Sequence, residues 1–271
     1  MSQTDLNNRV HTQFTSTISQ EVNGEVQILG KPLLKLAQSQ SFARITFGLL
    51  LGQEIKSNKT EALIDLILKL LVDHGPYQSG AVNTIITARA GKDLVSSLTA
   101  GLLTIGPKFG GAVNNAAKLW FEGVNNRSNP GEIVENFAKT KRYLPGIGHR
   151  QYRLEMPDPR VQLLKRKGLV LSKHSYLDFA LKIESITLAK KPNLILNIDG
   201  TMAAVLLDVL TIEEKLDLDQ ISTLIKSEFF NSLFVLSRSV GLVAHYLDQK
   251  RLNEPLFRLE PGQVFTDSQH S

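Results

Sequence analysis

Three short stretches of this chain put proton-moving side chains beside residues that turn the backbone sharply. His74 stands in DHGP, after a helix-like run and before Gly75-Pro76. His149 stands between Gly148 and Arg150 in LPGIGHRQYRLEMPDPR, residues 144–160. Asp199 enters the strongly apolar LILNIDGT with a glycine beside it. Imidazole exchanges protons near neutral pH. A carboxylate in an apolar setting needs hydrogen-bond partners or a task, because burying it unpaired is costly. Together these residue types suit acid–base chemistry. Each also has a plainer structural reading: His74 as the cap ending a helix, His149 in a surface turn, and Asp199 as the N-cap of TMAAVLLD. Arg150, Arg160, Arg238 and Arg258 add a second kind of chemistry. A guanidinium clasps a carboxylate through two parallel hydrogen bonds, so several in one pocket suit a di- or tricarboxylate. Arg238, surrounded by apolar residues in FVLSRSVGL, reads as buried against an anion, whereas Arg153 reads as facing solvent.

The elements that must carry these groups read as helices. Apolar residues recur at helical spacing through Leu63, Ile64, Ile67, Leu70 and Leu71, and the pattern continues over Ala81–Ala90 and Asp93–Ile105. Asn129-Pro130-Gly131 marks a turn before a short helix at Glu132–Lys139. In DPRVQLLKRKG, Pro159 suits a first helical turn and Gly168 a stop. SYLDFALKIESITLAKK reads as an amphipathic helix closed by Lys190 and Lys191, and PNLILNIDG leaves strand and turn both open before another helix. The last long helical region, QISTLIKSEFFNSLFVLSRSVGLVAHYLDQKR, has a candidate break at Gly241. Only QEVNGEVQILGK alternates as a strand does, forming a candidate hairpin around Asn23-Gly24. The fold class expected is therefore mainly α.

Composition narrows the chemistry further. The 271 residues suffice for a substantial core, and with no cysteine there is neither a disulfide scaffold nor a thiolate nucleophile. A net charge of +5 favours anionic partners, but the basic residues are not interleaved with aromatics, so nucleic acid is not expected. HYLDQ offers one histidine without a second ligand at motif spacing, so no metal is expected. There is no GxGxxG, no phosphate-binding lysine loop in PKFGG and no GxSxG around Ser79-Gly80. The start lacks the pattern of a signal peptide and no apolar run reaches membrane-spanning length, which makes a soluble cytoplasmic protein the expectation.

Longer blocks then carry a resemblance. Residues 73–112 (DHGPYQSGAVNTIITARAGKDLVSSLTAGLLTIGPKFGGA), GIGHR at 146–150, DPR at 158–160, KKPNLILNIDG at 190–200 and SRSVGLVAHYLDQKRL at 237–252 are similar, in this order, to the citrate synthase superfamily. Within it they are most similar to the citryl-CoA lyase module that also forms the C-terminal part of ATP-citrate lyase. The first 55 residues are less similar. The resemblance implies an all-α fold in which a large helical domain (1–107 and 201–271) is closed over by a smaller one (108–200). It implies a homodimer or an assembly of dimers, with no permanently bound cofactor. It implies reversible cleavage of citryl-CoA to acetyl-CoA and oxaloacetate. In those roles His74 would hold the acetyl-CoA enolate oxygen, His149 would face the oxygen of the oxaloacetate part and help remove the hydroxyl proton, and Asp199 would exchange the methyl proton. Arg150, Arg160 and Arg238 would bind carboxylates, and Arg258 would reach across the dimer. Gly106, Lys108, Gly110, Lys139, Lys141, Lys190 and Lys191 would lie near the CoA phosphates and pantetheine. Citrate synthase itself, or a related CoA-dependent lyase, is the alternative outcome of the same chemistry, and a noncatalytic scaffold is the alternative of a different class. A lyase of this length would take citryl-CoA from a separate citryl-CoA synthetase.

Overall fold

The computed structural model describes residues 14–106 and 110–265. Its contacts group into two units, Met1–Ile64 and Asp65–Ser271, with the division falling inside one helix. In the first unit the expected hairpin forms. Strands β1 (Ser19–Val22) and β2 (Glu25–Ile28) pair antiparallel with Val22 opposite Glu25, and Asn23 and Gly24 both take positive φ, as a two-residue hairpin turn requires. A short β3 (Lys31–Pro32) adds to β2, so the mainly helical chain carries one small three-stranded sheet. Helices α1 (Leu33–Ser39) and α2 (Phe42–Leu51) follow, and α3 (Asn58–Leu71) carries the division between units.

The second unit is built around α10 (Ile198–Ile212), in which every residue from Gly200 through Leu210 is buried. A helix apolar on all sides needs neighbours on all sides. They are α6 (Ala112–Asn125), α8 (Pro159–Gly168) and α9 (Ser175–Leu188), with α7 (Pro130–Lys139) packed on α9. Trp120 of α6 is fully buried and donates its indole N–H to the Gly200 carbonyl at 3.1 Å. Helices α4 (Ser79–Arg89), α5 (Leu94–Leu102) and α12 (Phe229–Leu252) pack together, and α11 (Leu218–Lys226) lies against α12. Among the described residues, no helix is long and apolar enough to cross a membrane.

Local chemistry sets the helix starts. Asn129 and Asp158 cap α7 and α8 just before Pro130 and Pro159, whose missing N–H costs nothing at a first turn. Three sequence expectations change. Asp199 is not the cap of α10: Asn197 is, with its side chain accepting from Gly200 N at 3.0 Å, and Asp199 is the second helical residue. Lys190 and Lys191 lie beyond α9, which ends at Leu188. The break expected at Gly241 falls instead at Ser227-Glu228, where Glu228 takes φ 59°. Helix α12 runs uninterrupted through Gly241 because the glycine answers a packing demand. A Cβ there would stand 2.2 Å from the Val72 carbonyl oxygen.

Candidate active site

Two backbone turns and the first turns of α8 and α10 meet at one cavity of about 490 Å³. His149 arrives on the glycine-rich loop, which runs beside the segment leading into α10. Gly148 N donates to Ile195 O at 2.7 Å, His149 N to Asn193 O at 3.0 Å and Asn197 N to Gly146 O at 3.0 Å, around an antiparallel bridge of Ile147 with Leu196. The crossing is tight: a Cβ on Gly200 would fall 2.4 Å from the Gly146 carbonyl oxygen, and one on Gly146 would fall 2.6 Å from the Gly200 Cα. The two glycines are therefore what lets the histidine loop and the aspartate helix touch. Behind them, Glu184 of α9 accepts Leu196 N at 2.8 Å and pairs with Lys165 of α8 at 2.7 Å, which fixes the segment from the far side.

The His149 ring is held by its own loop. Its Nδ1 accepts hydrogen bonds from Gln151 N (3.0 Å) and Tyr152 N (3.1 Å), so the proton of the neutral ring sits on Nε2. Burial lowers its pKa, only partly opposed by the Asp158 carboxylate, while Arg160 lowers it further. His149 thus enters the cavity as a neutral donor. In that state Nε2–H can donate a hydrogen bond to an oxygen in the cavity. His74 lies on the turn after α3, and no hydrogen bond to a described residue holds its ring. Burial lowers its pKa, as do the positive charges of Arg160 and Arg238.

Asp199 is the contrasting group. Its Oδ1 is shielded from solvent without a hydrogen-bond partner, and burial raises its pKa to about 6 against the pull of Arg160 and Arg238. Such a carboxyl changes charge close to neutral pH, as a group that both takes and returns a proton should. Arg160 forks onto Asp158 through Nε–Oδ1 (3.1 Å) and Nη2–Oδ2 (2.7 Å). Arg238 is 4 % exposed; it donates Nε–H to Leu71 O at 3.1 Å and lies over the Phe234 ring. Both guanidiniums are thereby oriented before any anion arrives.

His74, His149, Asp199, Arg150, Arg160 and Arg238 all line this cavity, with Arg150 on its exposed side. Arg258 does not; it is exposed in the segment after α12. Arg153 is exposed, as read from the sequence. Of the CoA candidates, Gly110 lines the cavity and Gly106 lines another of about 370 Å³, while Lys108 lies outside the described residues. Lys139, Lys141, Lys190 and Lys191 are exposed and line neither. The sequence reading missed Tyr77, Gln78, Gln151, Asn197, Ile198 and Phe234, and set aside Ser79, which also lines the wall. Asn197 was legible as a cap before a helix and Phe234 as the residue one turn before Arg238; the others carry no local signal. Among the described residues, no three His, Cys, Asp or Glu side chains are grouped to hold a metal ion.

Comparison with known proteins adds an independent view. The family model described as "Citrate synthase, C-terminal domain" matches residues 11–260. A probable ATP-citrate synthase of Caenorhabditis elegans is 40% identical over 254 residues, covering 92% of this chain and 23% of that protein. Among solved structures, a mutant ATP citrate lyase of Methanosaeta concilii in complex with (3S)-citryl-CoA superposes with a TM-score of 0.90 at 34% identity, covering 98% of this chain and 44% of that one. A citryl-CoA lyase of Hydrogenobacter thermophilus superposes with a TM-score of 0.79 at 28% identity, covering 94% and 95%. The chain therefore spans less than half the length of the ATP-citrate synthase and ATP citrate lyase chains and nearly the whole of the citryl-CoA lyase chain.

Proposed function

The chain belongs to the citrate synthase family, and from that premise we propose that it is a citryl-CoA lyase, cleaving citryl-CoA reversibly to acetyl-CoA and oxaloacetate. The observation that carries this reading is the meeting of His74, His149 and Asp199 in one cavity whose wall includes Arg150, Arg160 and Arg238. The citryl-CoA lyase of Hydrogenobacter thermophilus, which superposes over 94% of this chain, supports a lyase reading.

In cleavage, the arginines hold the carboxylates of the oxaloacetate part. His149 Nε2–H holds the hydroxyl oxygen while that oxygen loses its proton to solvent on the exposed side, near Arg150 and Tyr77. The bond between the hydroxyl-bearing carbon and the CH₂ beside the thioester then breaks, its electron pair leaving as the acetyl-CoA enolate. His74 donates to the enolate oxygen, and protonated Asp199 delivers its proton to carbon. Condensation runs the same steps backwards. The active protein is a homodimer or an assembly of dimers, with residues 108–200 closing over the cleft.

The test supplies citryl-CoA in one assay and acetyl-CoA with oxaloacetate in another, following acetyl-CoA and free thiol. Acetyl-CoA formed without thiol is the expected result. Thiol released during condensation would make the protein a citrate synthase, and silence in both assays would leave a scaffold. His149→Ala and Asp199→Asn should each lower turnover by roughly two or more orders of magnitude with the fold intact.

A further inference from the structure

His245 has no part in the chemistry above, yet it stands behind the turn that presents His74. On α12, Ser237, Arg238, Gly241 and His245 follow one another at helical spacing along one face. That face meets the end of α3, where the last carbonyls have no partner within their own helix. The Ser237 hydroxyl donates to Leu68 O and Arg238 Nε–H to Leu71 O. Gly241 lets Val72 O approach to where a methyl group would otherwise stand. One turn further on, His245 Nε2 lies 3.1 Å from Asp73 Oδ1, and the other oxygen of that carboxylate accepts Gly75 N at 3.0 Å. This carboxylate therefore ties the residue after His74 to α12.

We propose that His245 and Asp73 form a positioning pair for His74, fixing the turn Asp73-His74-Gly75 and with it the direction in which the His74 ring enters the cavity. His245 touches no substrate; it acts through Asp73 and the backbone. The proposal rests on the reading that His74 takes part in the reaction.

The test is kinetic and spectroscopic, on the full chain. His245→Ala should lower kcat for citryl-CoA cleavage about ten-fold and leave KM within about two-fold, because a misaligned donor is lost in the transition state rather than in binding. His245→Gln, which keeps an N–H donor near the position of Nε2, should recover most of the loss. The double variant His74→Ala/His245→Ala should be no slower than His74→Ala alone. In protein labelled with ¹³C at the histidine Cε1, the His74 ring resonance, identified by its disappearance in His74→Ala, should move in His245→Ala and return in His245→Gln. Should His245→Ala fail to fold, Asp73→Asn carries the same comparisons. A kcat near wild type in His245→Ala while His74→Ala is inactive, or losses that multiply in the double variant, would overturn the pair and leave the reading of the site intact. Wild-type turnover in His74→Ala would instead overturn that reading, and the pair would then stand or fall on the resonance alone.

Discussion

Asp199 shows best how one side chain couples chemistry to stability. Burial without a partner for Oδ1 raises its pKa from 3.8 to about 6. In the proposed mechanism cleavage uses its protonated form and condensation its ionised form, so kcat/KM should fall above about pH 6 in the first direction and rise through that pH in the second. Both profiles, measured on one preparation, check the assignment. The same shift has a thermodynamic side. Its folded pKa lies above the unfolded value, so no cost is present below about pH 4; the cost grows as pH rises between the two values and is complete above about 6, amounting to roughly 3 kcal/mol. Asp199→Asn should therefore melt at higher temperature than the parent at pH 7.5 despite its lost activity, and the gap should close as pH falls towards 4. A variant that is both inactive and less stable at pH 7.5 would mean that the carboxylate has a stabilising partner.

At the scale of elements, the site depends on places where backbones touch. Gly146 and Gly200 let the histidine loop lie on the start of α10, and Gly241 lets α12 lie on the end of α3. Gly241→Ala would press a methyl group onto the Val72 carbonyl at 2.2 Å, so one of the two elements must move. A stability loss of about 1–3 kcal/mol is expected, together with a fall in kcat, since the displaced residues lead directly into His74. Gly262→Ala, where the added methyl meets nothing within 4 Å, should change neither. Denaturant melts and steady-state rates on the two variants check this. Gly241 also shows how far a local pattern reaches. A glycine inside a helical run is equally compatible with a break and with a close contact, and only the neighbouring helix decides which.

For the whole molecule, the unplaced residue is Arg258. It lines no part of the cavity within its own chain, although its guanidinium is of the type that would complete a carboxylate site. If a second subunit supplies it, Arg258→Ala should be nearly inactive, and mixing it with Asp199→Asn under conditions of subunit exchange should restore activity to about a quarter of wild type per dimer; this figure follows from half of the dimers being mixed and each of those holding one intact site. No recovery despite exchange, followed by mass-resolved chromatography, would assign Arg258 to the surface. The sequence alone determined the helical class, because apolar spacing, capping residues and the Asn23-Gly24 turn are local signals. With the resemblance it also picked out the residue types able to act on a carboxylate-bearing thioester. It did not determine the state of those residues. That His149 is a donor, that Asp199 is a partnerless carboxyl inside a helix, and that His245 stands behind His74 depend on hydrogen bonds and burial between segments up to 172 positions apart. A pKa or a tautomer is set by what surrounds a group in space, and only the tertiary structure supplies those surroundings.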